Sequence, residues 1–244
     1  MPEKMTEKIV GILGGMGPEA TIDLMSRIMR LTPAADDIDH IRCIVDNNPK
    51  VPSRIKAIIE GTGESPVACM ADMAKNLEAC GADFLVIPCN TAHYYHRDVQ
   101  AAVGVPVLNL IKLTVDTVLA AFPEVKKIGL LASPAVRITR LYENVLGPMG
   151  LEVIYPKRAD EERLFSVIRD VKAGAVGNKT REILREIVDG VRMDGAELGI
   201  IACTELSVVN DICFSLPIFD AADVLANEIV AIVKKGKELR QRDV

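Results

Sequence analysis

Two cysteines occupy matching places in two similar segments of the chain, and a matched pair of thiols is a pair of acid/base groups. Gly81 to Thr91 reads GADFLVIPCNT and Gly195 to Glu205 reads GAELGIIACTE, which aligns Cys89 with Cys203 at an offset of 114. Each cysteine ends an aliphatic run that reads as a β-strand, and a helix start follows it, Asn90-Thr91 in one case and Thr204-Glu205 in the other. In parallel α/β sheets ligands bind beyond the carboxyl ends of the strands. A thiol facing a helix N-terminus meets partial positive charge and free N–H groups that favour thiolate, so both cysteines are expected to ionise near neutral pH. If an approximate two-fold axis relates the two segments, the sulfurs face each other across a cleft. That arrangement fits a reaction in which one face of a carbon loses a proton while the opposite face gains one, a two-base racemisation or epimerisation. The remaining cysteines, at 43, 69, 80 and 213, lack such pairing and read as small packed hydrophobes.

The elements that must hold these thiols follow from the pattern of apolar residues. Short aliphatic runs alternate with amphipathic stretches, the sequence form of βα repeats feeding mostly parallel sheets. Strands are predicted at Ile9 to Gly14, Ile41 to Asp46, Asp83 to Pro88, Val105 to Leu108, Lys127 to Ala132, Leu151 to Ile154, Leu198 to Ala202 and Pro217 to Phe219. Pro18 with Glu19, Glu64-Ser65-Pro66 and Ser133-Pro134 each open a helix, and Ala221 to about Arg240 reads as a closing helix. Two further segments repeat: KIVGILG (Lys8 to Gly14) matches KKIGLLA (Lys126 to Ala132), and VPVLN (Val105 to Asn109) matches LPIFD (Leu216 to Asp220). Three matches in one order predict an α/β protein of two similar pseudo-symmetric domains, each a mostly parallel sheet flanked by helices, with the active site in the inter-domain cleft. The first domain takes residues 1–112 plus 222–244 and the second residues 113–221.

Composition bounds the function. The 244 residues are 49% hydrophobic and 26% charged, so a packed core rather than extended disorder is expected. Net charge is −5 with scattered Lys and Arg, which leaves no footprint for nucleic acid, and an acidic substrate would need locally placed cations. No apolar stretch approaches the ~18 residues of a membrane span, and Met1 to Lys8 leads into a strand without a cleavage site, so a cytoplasmic protein with no membrane partner is expected. The six cysteines form no C-x-x-C pair, and with three histidines they make no metal-ligand cluster, so no metal is expected and the thiols should be free.

Motifs spread over nearly the whole chain carry a resemblance. IVGILGGMGPEAT (Ile9 to Thr21), NNP (Asn47 to Pro49), GADFLVIPCNTAH (Gly81 to His93) and ACTEL (Ala202 to Leu206) together resemble the aspartate/glutamate racemase family, and specifically its aspartate racemase branch. The resemblance implies an isomerase, a cofactor-independent and PLP-independent amino-acid racemase acting on an acidic amino acid, often homodimeric, with glutamate or broad-specificity racemisation as the alternative. By motif, Cys89 and Cys203 are its acid/base residues. Asn90, Thr91 and Thr204 would hold the α-amino and α-carboxylate groups, and the turn around Met16 would close the pocket with backbone N–H groups. Arg54 and Lys172 stand where the branch uses cations for the carboxylates, Arg54 as a bidentate fork and Lys172 as a point charge. Ser133, where the family has a Thr-rich turn, and Glu205 complete the implied substrate contacts. His93 fits the family motif as a residue that orients the first cysteine loop, and a packing role suits it equally. His40 and His96 read as surface residues.

Two readings of other classes stay open on the residues alone. Gly15 to Ala20 fits G-x-G-x-x-A between a strand and a helix, with Asp46 where a ribose-binding acid would sit, a nucleotide-site pattern that leaves the repeated cysteines unexplained. Duplicated α/β halves around a cleft also describe solute-binding proteins without turnover. Within the same superfamily a decarboxylase or a cis-trans isomerase is a further possibility, although decarboxylation needs only one proton donor.

Overall fold

Aliphatic runs too short for a helix and bounded by glycine or proline become strands, and the amphipathic segments between them become helices. The computed structural model describes residues 7–209 and 212–239. In the first half the chain runs through β1 (Val10–Gly14), α1 (Pro18–Leu31), β2 (Cys43–Asn47), α2 (Val67–Ala79), β3 (Phe84–Val86) and α3 (His96–Ala101). The second half follows as α4 (Leu110–Ala121), β4 (Lys127–Ala132), α5 (Pro134–Ile138), α6 (Glu143–Leu146), β5 (Glu152–Ile154), α7 (Arg158–Lys172), α8 (Asn178–Met193), β6 (Leu198–Ala202), α9 (Thr204–Ser207) and β7 (Ile218–Asp220). A final helix, α10 (Ala221–Lys234), returns to the first half, where it packs against α1 and α4.

All strand pairs are parallel, in two sheets ordered β2-β1-β3 and β5-β4-β6-β7. A parallel bridge from Leu85 to Val107 adds to the first sheet at the place that β7 takes in the second, so the two orders correspond strand for strand. Val105 to Leu108 is thus one bridge rather than the predicted strand: Pro106 has no N–H to give to a ladder. The closing helix also stops at Lys234, short of the expected end near Arg240, because Gly236 turns the chain with φ +66°. Arg240 itself lies outside the described residues.

Each strand feeds two cores because successive side chains point to opposite faces. Val10, Ile12, Phe84 and Val86 pack against α1 and α10, while Leu13, Leu85 and Ile87 pack against α2. In the second half Leu131 and Ile201 meet α7 and α8, and Ile128, Leu130, Leu198 and Ile200 meet α4 and α6. Helix α4 joins the halves, with Leu110 and Leu113 in a first-half core and Ile111, Val115 and Val118 in a second-half core. The repeat extends to close packing: a Cβ on Gly11 would lie 2.5 Å from Leu85 Cδ2, and one on Gly129 would lie 2.5 Å from Val191 Cγ1.

Arg27 of α1 ties the second cysteine segment to the first half. Its guanidinium donates to Asp23 at 2.6 Å, to the Ser207 carbonyl at 3.0 Å and to Asp223, and stands 3.3 Å from Asp220. Asp220 in turn accepts from the Ser207 hydroxyl at 2.6 Å and caps α10 through the Ala222 N–H at 2.9 Å. The Asp220 side chain is 1% exposed, so removing the cation strands a buried carboxylate. Arg27→Met is expected to lower unfolding stability by about 3 kcal/mol in urea titrations; a loss under about 0.5 kcal/mol would show that the cluster is solvated in practice.

Candidate active site

The residues that follow the carboxyl ends of five strands converge, with two from a helix, on one small cavity. From the first half it takes Met16 after β1, Ser53, Arg54 and Ile55 beyond β2, and Cys89 and Thr91 after β3. From the second it takes Ser133 after β4, Ile168 and Lys172 on α7, and Cys203 and Glu205 after β6. Its volume is about 70 Å³, far below a site for a dinucleotide. An adjoining chamber of about 310 Å³ shares Ser53, Arg54, Lys172 and Glu205 and is walled by Pro18, Glu19, Pro49, Val51 and Val208 among others. Among the described residues there is no group of three His, Cys, Asp or Glu that could hold a metal ion, and no helix is long and apolar enough to cross a membrane.

Both cysteines are free and buried, and each lies close enough to the other for ionisation of Cys89 to oppose that of Cys203. The expected lowering of their pKa values does not occur. Burial pushes the Cys89 thiol up, Arg54 works against that shift and Glu205 adds to it. Burial pushes Cys203 well above the ordinary thiol value, and the Glu205 carboxylate pushes further, both as a charge and as the acceptor of the Cys203 Sγ hydrogen bond at 3.1 Å. The physical reason is burial, the largest influence on both thiols, which outweighs whatever the four-residue α9 and the 3-10 turn Thr91–Tyr95 after Cys89 offer.

The implied substrate contacts divide into those that reach the cavity and those that brace it. Thr91 Oγ1 and Ser133 Oγ share a hydrogen bond of 3.0 Å across the two halves. Arg54 Nη1 donates to the carbonyls of Val51 and Pro52, at 3.3 and 3.2 Å, which holds the guanidinium at the cavity wall. Lys172 Nζ lies 3.1 Å from Glu205 Oε1; burial weakens the ammonium, but Glu205 outweighs it and holds the group above the ordinary lysine value. Asn90 and Thr204 stand behind the cavity wall. Thr204 donates to the Pro88 carbonyl at 3.2 Å, and Asn90 Oδ1 accepts from the fully buried Tyr142 hydroxyl at 2.8 Å. That bond fixes the Asn90 amide and leaves its buried Nδ2 without a hydrogen-bond partner. The turn at Met16 contributes its buried side chain, while the Gly15 N–H is taken by Thr21 Oγ1 at 2.9 Å rather than presented to the pocket. Gly15 has φ +88°, and a Cβ there would meet the Asn48 backbone at 2.3 Å, which packs the glycine turn onto the NNP segment.

His93 orients the first cysteine loop. The Leu110 N–H donates to His93 Nε2 at 3.1 Å, so Nδ1 carries the hydrogen and donates to the Cys89 carbonyl at 2.8 Å. Burial pushes its pKa down to about 4, which keeps the ring neutral. His96 is buried, not on the surface as expected, because its Nε2 bonds the Val107 carbonyl at 2.8 Å; His40 is half-buried. Cys80 and Cys213 are exposed rather than packed, since one follows the last turn of α2 and the other sits in the loop before β7. Ser53, Ile55, Ile168 and Tyr142 were not singled out by sequence. Ser53 and Ile55 flank Arg54, and Ile168 lies one helical turn before Lys172, spacings that place them on the same wall. Tyr142 carries no comparable signal.

A family model described as Asp/Glu/Hydantoin racemase matches residues 13–229 of the chain. The broad-specificity amino-acid racemase RacX of Bacillus subtilis strain 168 is 29% identical over 228 residues, covering 91% of this chain and 97% of that protein. Among solved structures, Picrophilus torridus aspartate racemase superposes with TM-score 0.82 at 30% identity, covering 96% of each chain. An aspartate racemase homologue from Pyrococcus horikoshii gives TM-score 0.72 at 26% identity, over 93% of this chain and 99% of that one. A Bacillus anthracis glutamate racemase, at 20% identity and TM-score 0.64 over 97% and 85% of the two chains, shares the fold.

The two thiols are expected to titrate separately. Peptide-resolved alkylation of the unliganded protein should rise with pH at both positions, with half-maximal rates above the ordinary thiol value of about 8.5 and Cys89 reacting at lower pH than Cys203. Coincident profiles near pH ~8 would contradict the burial and charge described here.

Proposed function

The chain belongs to the Asp/Glu/hydantoin racemase family, and on that premise we propose that it interconverts the L and D forms of an amino acid, aspartate first, with Cys89 and Cys203 as the two bases and no bound cofactor. The observation that carries this reading is the shared cavity: two sulfurs 114 residues apart in sequence line one void from opposite halves of the fold. A substrate α-carbon between them offers one face to each.

In the reaction one cysteine, as thiolate, takes the α-hydrogen as a proton and becomes a thiol, and the electron pair stays on the α-carbon, delocalised into its carboxylate. The other cysteine gives its proton to the opposite face and is left as thiolate. The number of protons on the pair is unchanged, and the roles reverse with the other enantiomer. Charge develops beside a carboxylate that is already negative, so donors that tighten as it develops lower the barrier. Arg54 and the Thr91 and Ser133 hydroxyls are the groups that line the cavity and can serve. The substrate's α-ammonium brings positive charge beside thiols that burial has made reluctant to ionise.

Arg54 supports an acidic substrate, because a protein of net charge −5 must supply its cations locally and Lys172 is paired with Glu205. The adjoining chamber favours a second reading, broader amino-acid specificity, since its Val51, Val171 and Val208 walls would accept a larger side chain. The nucleotide reading fares worse: Glu19 of the glycine turn faces that chamber and would repel a phosphate.

Incubation with L-aspartate or L-glutamate in deuterated water, without added cofactor, is expected to yield the D isomer carrying deuterium at the α-carbon. Cys89→Ser and Cys203→Ser should each reduce its formation by ~10²–10⁴-fold, the usual weight of a positioned acid or base. Undiminished D-isomer formation in both variants would falsify the two-cysteine scheme, and ligand binding without exchange would instead identify a binding protein.

A further inference from the structure

Glu205 makes two otherwise matched halves unequal. At the offset of 114 that pairs the cysteines, Glu205 corresponds to Thr91. Thr91 bonds the Ser133 hydroxyl, whereas Glu205, 8% exposed, sets one carboxylate oxygen 3.1 Å from Cys203 Sγ and the other 3.1 Å from Lys172 Nζ. A carboxylate accepts hydrogen bonds and gives none, so the bond to Cys203 lasts only while that sulfur carries its hydrogen. Cys89 has the opposite surroundings: its sulfur takes the Ala92 backbone N–H, and the largest influence on it after burial is the Arg54 cation. One sulfur faces an acceptor and the other a donor.

We infer that Glu205 is a positioning residue that keeps the proton on Cys203 in the resting protein, so that Cys89 ionises first. This order of ionisation belongs to the unliganded protein; that Cys89 is thereby the resting base rests on the racemase reading above. The charged and titratable groups that face the two sulfurs are Arg54, Lys172, Glu205 and the sulfurs themselves. With Lys172 held by Glu205, Arg54 is the cavity cation open to a substrate carboxylate, and Glu205 acts on the cysteine rather than as the substrate contact implied by its motif. The enantiomers have equal free energy, so kcat/KM stays equal in the two directions whatever Glu205 does. Its effect is read from the sulfurs.

Alkylation profiles of the full chain, resolved by peptide mass measurement, test this with Glu205→Gln and Lys172→Met. Glu205→Gln keeps an acceptor for the thiol but removes the charge, and it should speed Cys203 alkylation below its midpoint roughly tenfold, the effect of one pKa unit, with a smaller change at Cys89. Lys172→Met removes the opposing cation and should slow Cys203, the reverse sign. A Cys203 profile that stays in place or moves to higher pH in Glu205→Gln overturns the inference, as does movement in the same direction in both variants, which loosened packing would produce. Should Glu205→Gln not fold, Lys172→Met decides alone, and an unslowed Cys203 overturns the inference. Deuterium exchange in the same samples separates the two proposals: shifted profiles with no exchange in the unsubstituted protein uphold the protonation order and reject the racemase reading.

Discussion

Two thiols carried by different sheets have to share one void, and that requirement organises the molecule. Neither half holds the site, because each supplies one sulfur and one part of the wall. The halves are therefore fastened where their strand ends meet. Tyr142 reaches Asn90, Ser133 reaches Thr91, and Thr204 reaches the Pro88 carbonyl, three bonds that cross from one half to the other beside the cysteines. Farther out, Arg27 ties α1 to the segment after Cys203, and α4 lends residues to a core on each side. A rigid junction matters for proton transfer, which falls off steeply once the reacting atoms leave hydrogen-bond reach.

Enclosure has an electrostatic cost. A dry cavity strengthens each charge inside it, yet the same dryness disfavours the thiolates on which the proposed racemisation depends. The surrounding groups offset this unequally. Arg54 eases Cys89, while Glu205 burdens Cys203 and occupies Lys172. An internal repeat that produces a near-symmetric frame thus ends in an asymmetric centre, through one position where threonine in the first half meets glutamate in the second.

Much of the frame was legible because strands and helices are written in local patterns. The short aliphatic runs of β1, β3, β4 and β6 and the prolines at the starts of α1, α2 and α5 are local signals, and the structure keeps them. Val105 to Leu108 and the last turns of α10 were misread where one residue, Pro106 or Gly236, ended a pattern that its neighbours continued. His96 looked like a surface residue because nothing nearby in sequence announces its bond to the Val107 carbonyl.

The sequence by itself determined which chemistry was available: two cysteines in repeated strand-end segments, two cations beside recognisable motifs, and a βα order that sends them to the same end of the sheets. Only the tertiary structure decided how those groups behave. Whether a thiol is easy or hard to ionise depends on burial and on nearby charges, which for Cys89 come from residues such as Arg54, Lys172 and Glu205 that lie far from it along the chain. The spacing of residues records neither distance nor desolvation, so helix starts that promised acidic thiols became, once folded, a buried site where Glu205 accepts the Cys203 hydrogen bond.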